Sequence, residues 1–198
     1  MNYEEGLEHS NEIIGLLFRY CARIEPTGSL RRKESRIDSI EMIASPQLVE
    51  ADSYWNDGAS SLTGEVPGPD RLDAGIRLLE RNGALKQVRR LGTSALSPDV
   101  PSAGYALIYR QATVVIYTVA PPAQWGVEFV LRTGDDDFVD FIVRKAARMG
   151  LALTRGHLER DGETVDTPEE ADAMRALGLD WVEPENRNRR LLGPKGMV

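Results

Sequence analysis

The stretch GSLRRKESRIDSIEMIAS, residues 28–45, decides how this chain is read. It opens on Gly28, Ser29, Arg31 and Arg32, the residue types of a turn that grips phosphate. A glycine lets backbone N–H groups approach an anion, a serine hydroxyl adds a donor, and an arginine adds a charged fork. By spacing alone, such a turn serves either to bind phosphate or to meet a need of the fold. The stretch continues through Ile37 to Ala44, where partial apolar–polar alternation predicts a strand.

Working outward, residues 3–23 predict an amphipathic helix with Ile13, Ile14, Leu16, Leu17 and Tyr20 in its apolar stripe. Cys21 falls in this pattern as a small buried residue. Pro26 to Ser29 breaks the helix. Residues 46–69 hold many Gly, Ser, Asp and Pro and predict a loop. Arg71 to Arg81 predicts a helix stopped at Asn82-Gly83. YALIY (105–109) and TVVIYTV (113–119) predict paired strands joined by a short turn, the second ended by Pro121-Pro122.

The next helix has Asp135, Asp136, Asp137 and Asp140 at its start and Arg144, Lys145 and Arg148 near its end, as the helix dipole favours. Gly150 stops it. Short strands flank Arg155-Gly156, with a second turn at Asp161-Gly162. Thr167-Pro168-Glu169-Glu170 predicts a helix capped by Thr167, with Pro168 in the first position and Glu170 completing a capping box. The order of elements is α+β, with a lobe boundary near 120–125 and a flexible tail over 188–198.

The 198 residues suit one large domain or two small lobes. No window has the apolar length of a membrane span, the N-terminus MNYEEGLEHSNE is unlike a secretory signal, and a single cysteine forms no internal disulfide. A reducing cytoplasm is the expected compartment. A net charge of -7 argues against nucleic-acid binding by the whole surface. It leaves room for a local basic groove built from Arg31, Arg32, Lys33 and Arg36, from Arg77, Arg81, Lys86, Arg89 and Arg90, or from Arg187, Arg189 and Arg190.

Generic catalytic motifs are missing. The sequence has no GxxxxGK[ST], GxGxxG, HExxH or paired CxxC, and Ser29 is not in a GxSxG elbow. Its two histidines, His9 and His157, lack partners at metal-ligand spacing.

Taken together, CARIEPTGSLRRKESRIDSIEMIA (21–44), QWG (124–126), RTG (132–134) and TPEEADAMRALGLDWVEPENR (167–187) resemble, in order, the DNA polymerase X family of nucleotidyltransferases, most closely its short phage-type members. The resemblance covers most of residues 12–187. It implies a nucleotidyltransferase-like palm with a mixed sheet over 1–122 and a small thumb-like lobe over 123–187. It places the phosphate turn on Gly28, Ser29, Arg31 and Arg32, and a nucleotide-side turn on Arg132, Thr133 and Gly134.

Family chemistry uses three carboxylates around two Mg²⁺ ions. In this register the three positions hold Ser39, Glu41 and Val115. Serine is a weak neutral ligand and valine is none. Asp135 stands where the family has a serine, and Val139 where it often has a nucleotide-contacting asparagine.

Three readings follow from the resemblance. One is a catalytically inactive nucleotidyltransferase-fold protein that still binds a nucleotide or DNA phosphate, or regulates. Another is an active Mg²⁺- or Mn²⁺-dependent nucleotidyltransferase or DNA polymerase using Glu41, as a metal ligand, with Asp38. On a regular strand Asp38 and Glu41 point oppositely, so that reading needs a bulge. The third is a phage–host factor that binds a protein partner.

Overall fold

The computed structural model describes residues 1–47, 71–91, 104–119 and 124–188. Helix α1 runs Tyr3–Leu17, and the Asn2 side chain caps it by accepting the Glu5 N–H at 2.9 Å. One turn of 3₁₀ helix, Phe18–Tyr20, then leads directly into strand β1, Cys21–Thr27. The helix expected over 3–23 therefore ends at Leu17, and Cys21 sits half-buried on a strand.

Helix α2 is a single turn, Gly28–Arg31, and β2 spans Ile40–Pro46. Helix α3 covers Arg71–Arg81, with Gly83 in the left-handed region at φ +80° just beyond it. β3 (Lys86–Leu91), β4 (Gly104–Tyr109) and β5 (Ala112–Thr118) complete the sheet. The turn between β4 and β5 has positive φ at both Arg110 and Gln111, the backbone of a two-residue hairpin.

The five strands lie in the order β1-β2-β5-β4-β3. β2 and β5 are parallel and every other neighbouring pair is antiparallel, so the sheet is mixed. Alternation gives it two different faces. Ile40, Met42 and Ala44 of β2 and Val114 and Ile116 of β5 point to one face, where they pack with Ile13 and Leu17 of α1 and Leu72 and Ile76 of α3. Glu41 and Ile43 point to the other.

The C-terminal lobe begins with α4 (Trp125–Thr133) and α5 (Asp136–Arg148). A three-stranded antiparallel sheet follows: β6 (Ala152–Thr154), β7 (His157–Arg160) and β8 (Glu163–Val165). Helix α6 (Glu170–Ala176) closes the lobe. Its core joins Val130 and Leu131 to Phe138, Ile142, Leu158 and Met174. A bridging cluster of Ile43, Val119, Trp125 and Phe129 seats α4 on the second face of the large sheet. The fold is thus α+β: a mixed sheet with helices, followed by a smaller C-terminal lobe.

The start of α6 differs from the capping box expected there. Glu169, not Thr167, is the cap, and it exchanges bonds with Asp172, whose side chain accepts the Glu169 N–H at 3.2 Å. Thr167 is drawn away to α4, where its hydroxyl donates to Gln124 Oε1 at 2.7 Å. The loop expected over 46–69 lies outside the described residues beyond Gln47. Pro121-Pro122 and the tail beyond Asn188 also lie outside them.

Candidate functional site

The site forms where β1, α2, β2 and β5 meet α4 and α5. A cavity of about 250 Å³ opens there, lined by Arg32, Glu41, Tyr117, Arg132, Asp135, Asp136 and neighbouring apolar atoms. The sheet register builds its floor. Glu41 is paired across β1 with Thr27 and across β5 with Val115. Tyr117 lies two residues along β5 from Val115, so by alternation it shares the face of Glu41 and Val115, and Ser39, just before β2, reaches that face by a side-chain hydrogen bond to Glu41. Ser39, Glu41 and Val115 are therefore brought together, and only Glu41 is an acid.

Glu41 lies against the α2 turn. Gly28 has φ +59°, and a Cβ there would run into the Glu41 carboxylate. Burial pushes the Glu41 carboxyl above the usual carboxylate range. Arg32, Arg132 and a hydrogen bond to Ser39 oppose that shift, while Asp136 adds to it.

Asp38 is elsewhere. Its side chain is 82% exposed and accepts from Arg36 Nε at 2.9 Å. The structure does not bring Asp38 beside Glu41.

The arginines of the expected phosphate turn are engaged by the protein itself. Arg31 donates to Glu170 through both Nη atoms, at 2.7 and 2.6 Å, and to Thr133 Oγ1 at 2.7 Å. Its guanidinium lies 3.7 Å from the centre of the Phe129 ring. Arg32 donates through Nε to Glu34 at 2.8 Å and through Nη1 to the Thr133 carbonyl at 2.7 Å. Both side chains thus tie the large sheet to the C-terminal lobe.

The turn Arg132-Thr133-Gly134 sits across the cavity. Arg132 is buried, pairs with Glu128 at 3.0 Å, and stacks 4.2 Å from the centre of the Tyr117 ring. Thr133 meets Thr27 side chain to side chain at 3.2 Å. Gly134 lines the cavity. Asp135 caps α5 by accepting the Phe138 N–H at 2.8 Å.

Three partners here were missed in the sequence. Glu170 reads as a capping residue, Tyr117 as an ordinary strand residue, and Arg187 as the edge of a basic tail. Arg187 is instead fully buried and pairs with Glu170. The only sequence signal for it is its place at the end of the DWVEPENR run.

The donor set does not fit a two-metal centre. Mg²⁺ and Mn²⁺ need several hard anionic oxygens, and the positions beside Glu41 offer a hydroxyl and a methyl-bearing side chain. Among the described residues no group of three or more His, Cys, Asp or Glu side chains is arranged to hold a metal ion. The Glu41 carboxyl faces the Arg32 and Arg132 guanidinium groups and the Ser39 hydroxyl.

Residues 129–188 match the family model described as DNA polymerase beta thumb. No curated protein matches the chain. The match supports a relationship to the polymerase beta-like, or X, group. It runs from within α4 to the described C-terminus and does not reach the stretch 28–45. Among the described residues no helix is long and apolar enough to cross a membrane.

Proposed function

We propose that this protein is a nucleic-acid-binding module on a polymerase X-like palm and thumb, and that it does not carry out two-metal nucleotidyl transfer. In this reading residues 1–122 are the palm, residues 123–187 the thumb, and 188–198 a tail. The likeness to a polymerase thumb supports DNA as the ligand.

The observation that carries the inactive reading is the single carboxylate at the paired positions Glu41 and Val115, with Ser39 alongside. An in-line displacement held by two metals needs anionic ligands bridging both ions, and this face supplies one carboxyl, itself biased toward its neutral form by burial. Asp38, exposed and paired with Arg36, does not join Glu41, and the acids that share its cavity, Asp135 and Asp136 of the α5 start, form with it no group arranged to hold a metal among the described residues.

The test is incorporation of a labelled nucleotide into a gapped or primed DNA, with Mg²⁺ and Mn²⁺ in parallel. The expected result is no incorporation by a folded preparation. Incorporation that disappears in Glu41→Ala overturns the reading in favour of an active transferase.

A further inference from the structure

The turn read from the sequence as the phosphate grip has its arginines bonded within the protein. The same face of the large sheet carries other cations, nearer its β3 edge. Strand register identifies them.

Glu41 is paired with Val115, Val115 with Ala106, and Ala106 with Arg89. Residues paired across neighbouring strands point to one face, so this row leads from the cavity to Arg89 on the edge strand β3. A second row pairs Thr113 with Ile108 and Ile108 with Lys86. Gln87, at φ +50°, lies in the bulge that separates the two rows on β3.

The neighbours of Arg89 check the assignment. Arg90 is paired with Tyr105, whose side chain packs in the helix-side core, and Arg90 reaches Asp73 of α3 at 2.5 Å. Val88 packs against the same core. Val88 and Arg90 thus face the helices, and Arg89 faces the cavity side.

The two halves of that side differ. Over β2 it is covered by α4 through Ile43, Trp125 and Phe129. Over β4 and β3, Lys86, Arg89 and Thr113 are exposed. Between them and the cavity lie Val115 and Ala106, which are uncharged. The span from β2 to β3 is three strand spacings, roughly 14 Å, or about four nucleotide steps of a duplex.

We infer that the β5–β4–β3 half of this sheet face is a docking surface for a nucleic-acid backbone, with Lys86 and Arg89 as its phosphate contacts. Charge complementarity favours this occupant: two exposed cations stand at the end of a neutral strip, on a chain of net charge -7. The inference rests on the nucleic-acid-binding reading above and specifies where that binding occurs.

The test is anisotropy of a labelled gapped duplex and a labelled single strand, measured across salt concentrations for three proteins. These are the wild type, Lys86→Ala/Arg89→Ala, and Arg77→Ala/Arg81→Ala, which removes two charges from α3 on the opposite side. The first double variant should weaken binding by ~10-fold or more. It should also lower the slope of log K against log salt by about 2, as expected for two lost phosphate contacts. The α3 variant should change affinity less than ~2-fold. Equal weakening in both variants, or none in Lys86→Ala/Arg89→Ala, overturns the inference while leaving nucleic-acid binding intact. A wild type with no affinity for either oligonucleotide overturns the underlying reading as well. The substituted side chains are exposed, and melting curves of all three proteins exclude unfolding as the cause.

Discussion

Arg31 and Glu170, 139 positions apart in sequence, form a bidentate ion pair at 2.6–2.7 Å across the junction of the two lobes. The fully buried Arg187 reaches the same carboxylate from the other side. One carboxylate therefore serves two guanidinium groups. Removing it deprives both, Arg31 mostly and Arg187 fully buried, of the carboxylate they bond directly.

Glu170→Ala should accordingly lower stability by about 3–5 kcal/mol, the usual cost of breaking a buried pair by deleting one partner. Urea denaturation checks this. Arg23→Ala is the comparison. It removes a partly exposed ion pair to Glu169 at 2.8 Å and the stack of Arg23 on Trp125 at 4.3 Å, and should cost about 1–2 kcal/mol. Equal losses in the two variants would contradict the account of the junction.

Acid should act on the same junction. Burial alone raises the Glu170 pKa, but the hydrogen bond from Arg31 and the charge of Arg187 more than offset it, and the net shift is downward. A depressed folded-state pKa means that the carboxylate's contribution is complete above its ordinary value near 4.5. That contribution is lost as pH falls through the lower folded value. Stability measured from pH 6 to pH 3 should fall more steeply in the wild type than in Glu170→Gln.

Glu41 has the opposite sign. Its carboxyl is raised by burial, so ionisation at neutral pH works against folding. Its contribution is most favourable below the ordinary carboxylate value and declines as pH rises through the raised folded value. Glu41→Gln should therefore stabilise the protein at pH 7 relative to the wild type, and the gap should close toward pH 4. Thermal melts of both proteins across that range decide it. A destabilised Glu41→Gln at pH 7 would mean that the Arg32 and Arg132 charges outweigh burial.

Gly28 faces two obstacles to substitution. Its φ of +59° disfavours any side chain, and the Glu41 carboxylate occupies the space of a Cβ. The backbone penalty alone is about 1–2 kcal/mol. Gly28→Ala should cost more than that in the wild type and return toward it in a Glu41→Ala background, where the carboxylate is gone and only the residue-41 Cβ, 3.2 Å away, remains close. A double-mutant cycle reads the coupling directly. Strict additivity would show that the two side chains do not compete for the same space.

Much of this molecule was legible in its sequence, and the exceptions have physical causes. The β4–β5 hairpin, the α5 charge gradient and the small β6–β7–β8 sheet follow from turn residues and dipole chemistry. Strand β1 was hidden because Cys21 and Ile24 extend the apolar run of α1, and Pro26 looks like a breaker. Pro26 is tolerated because β1 is an edge strand. Strand β3, KQVRRL, is the other edge, and its charges suit an edge more than a core strand. Helix α4 has no solvent-facing side, since every residue from Trp125 to Thr133 is buried and its charged residues Glu128 and Arg132 pair with each other inside the protein.

The site divides in the same way. The family resemblance put Ser39, Glu41 and Val115 in one set, and strand pairing of Glu41 with Val115 and a hydrogen bond from Ser39 to Glu41 bring them together. Local spacing marked Arg31 and Arg32, but their partners Glu170, Thr133 and Glu34 depend on how the lobes dock. No window around residue 31 reports a carboxylate at residue 170.

The most direct measurement is the affinity of the wild-type protein for a labelled gapped duplex in EDTA, repeated after adding Mg²⁺. The expected result is no gain in affinity on adding Mg²⁺, and a loss as the divalent ion competes for the phosphates, because among the described residues no group of three or more His, Cys, Asp or Glu side chains is arranged to hold the ion. Binding that appears only with Mg²⁺ and vanishes in Glu41→Ala would contradict it and restore a metal centre at Glu41.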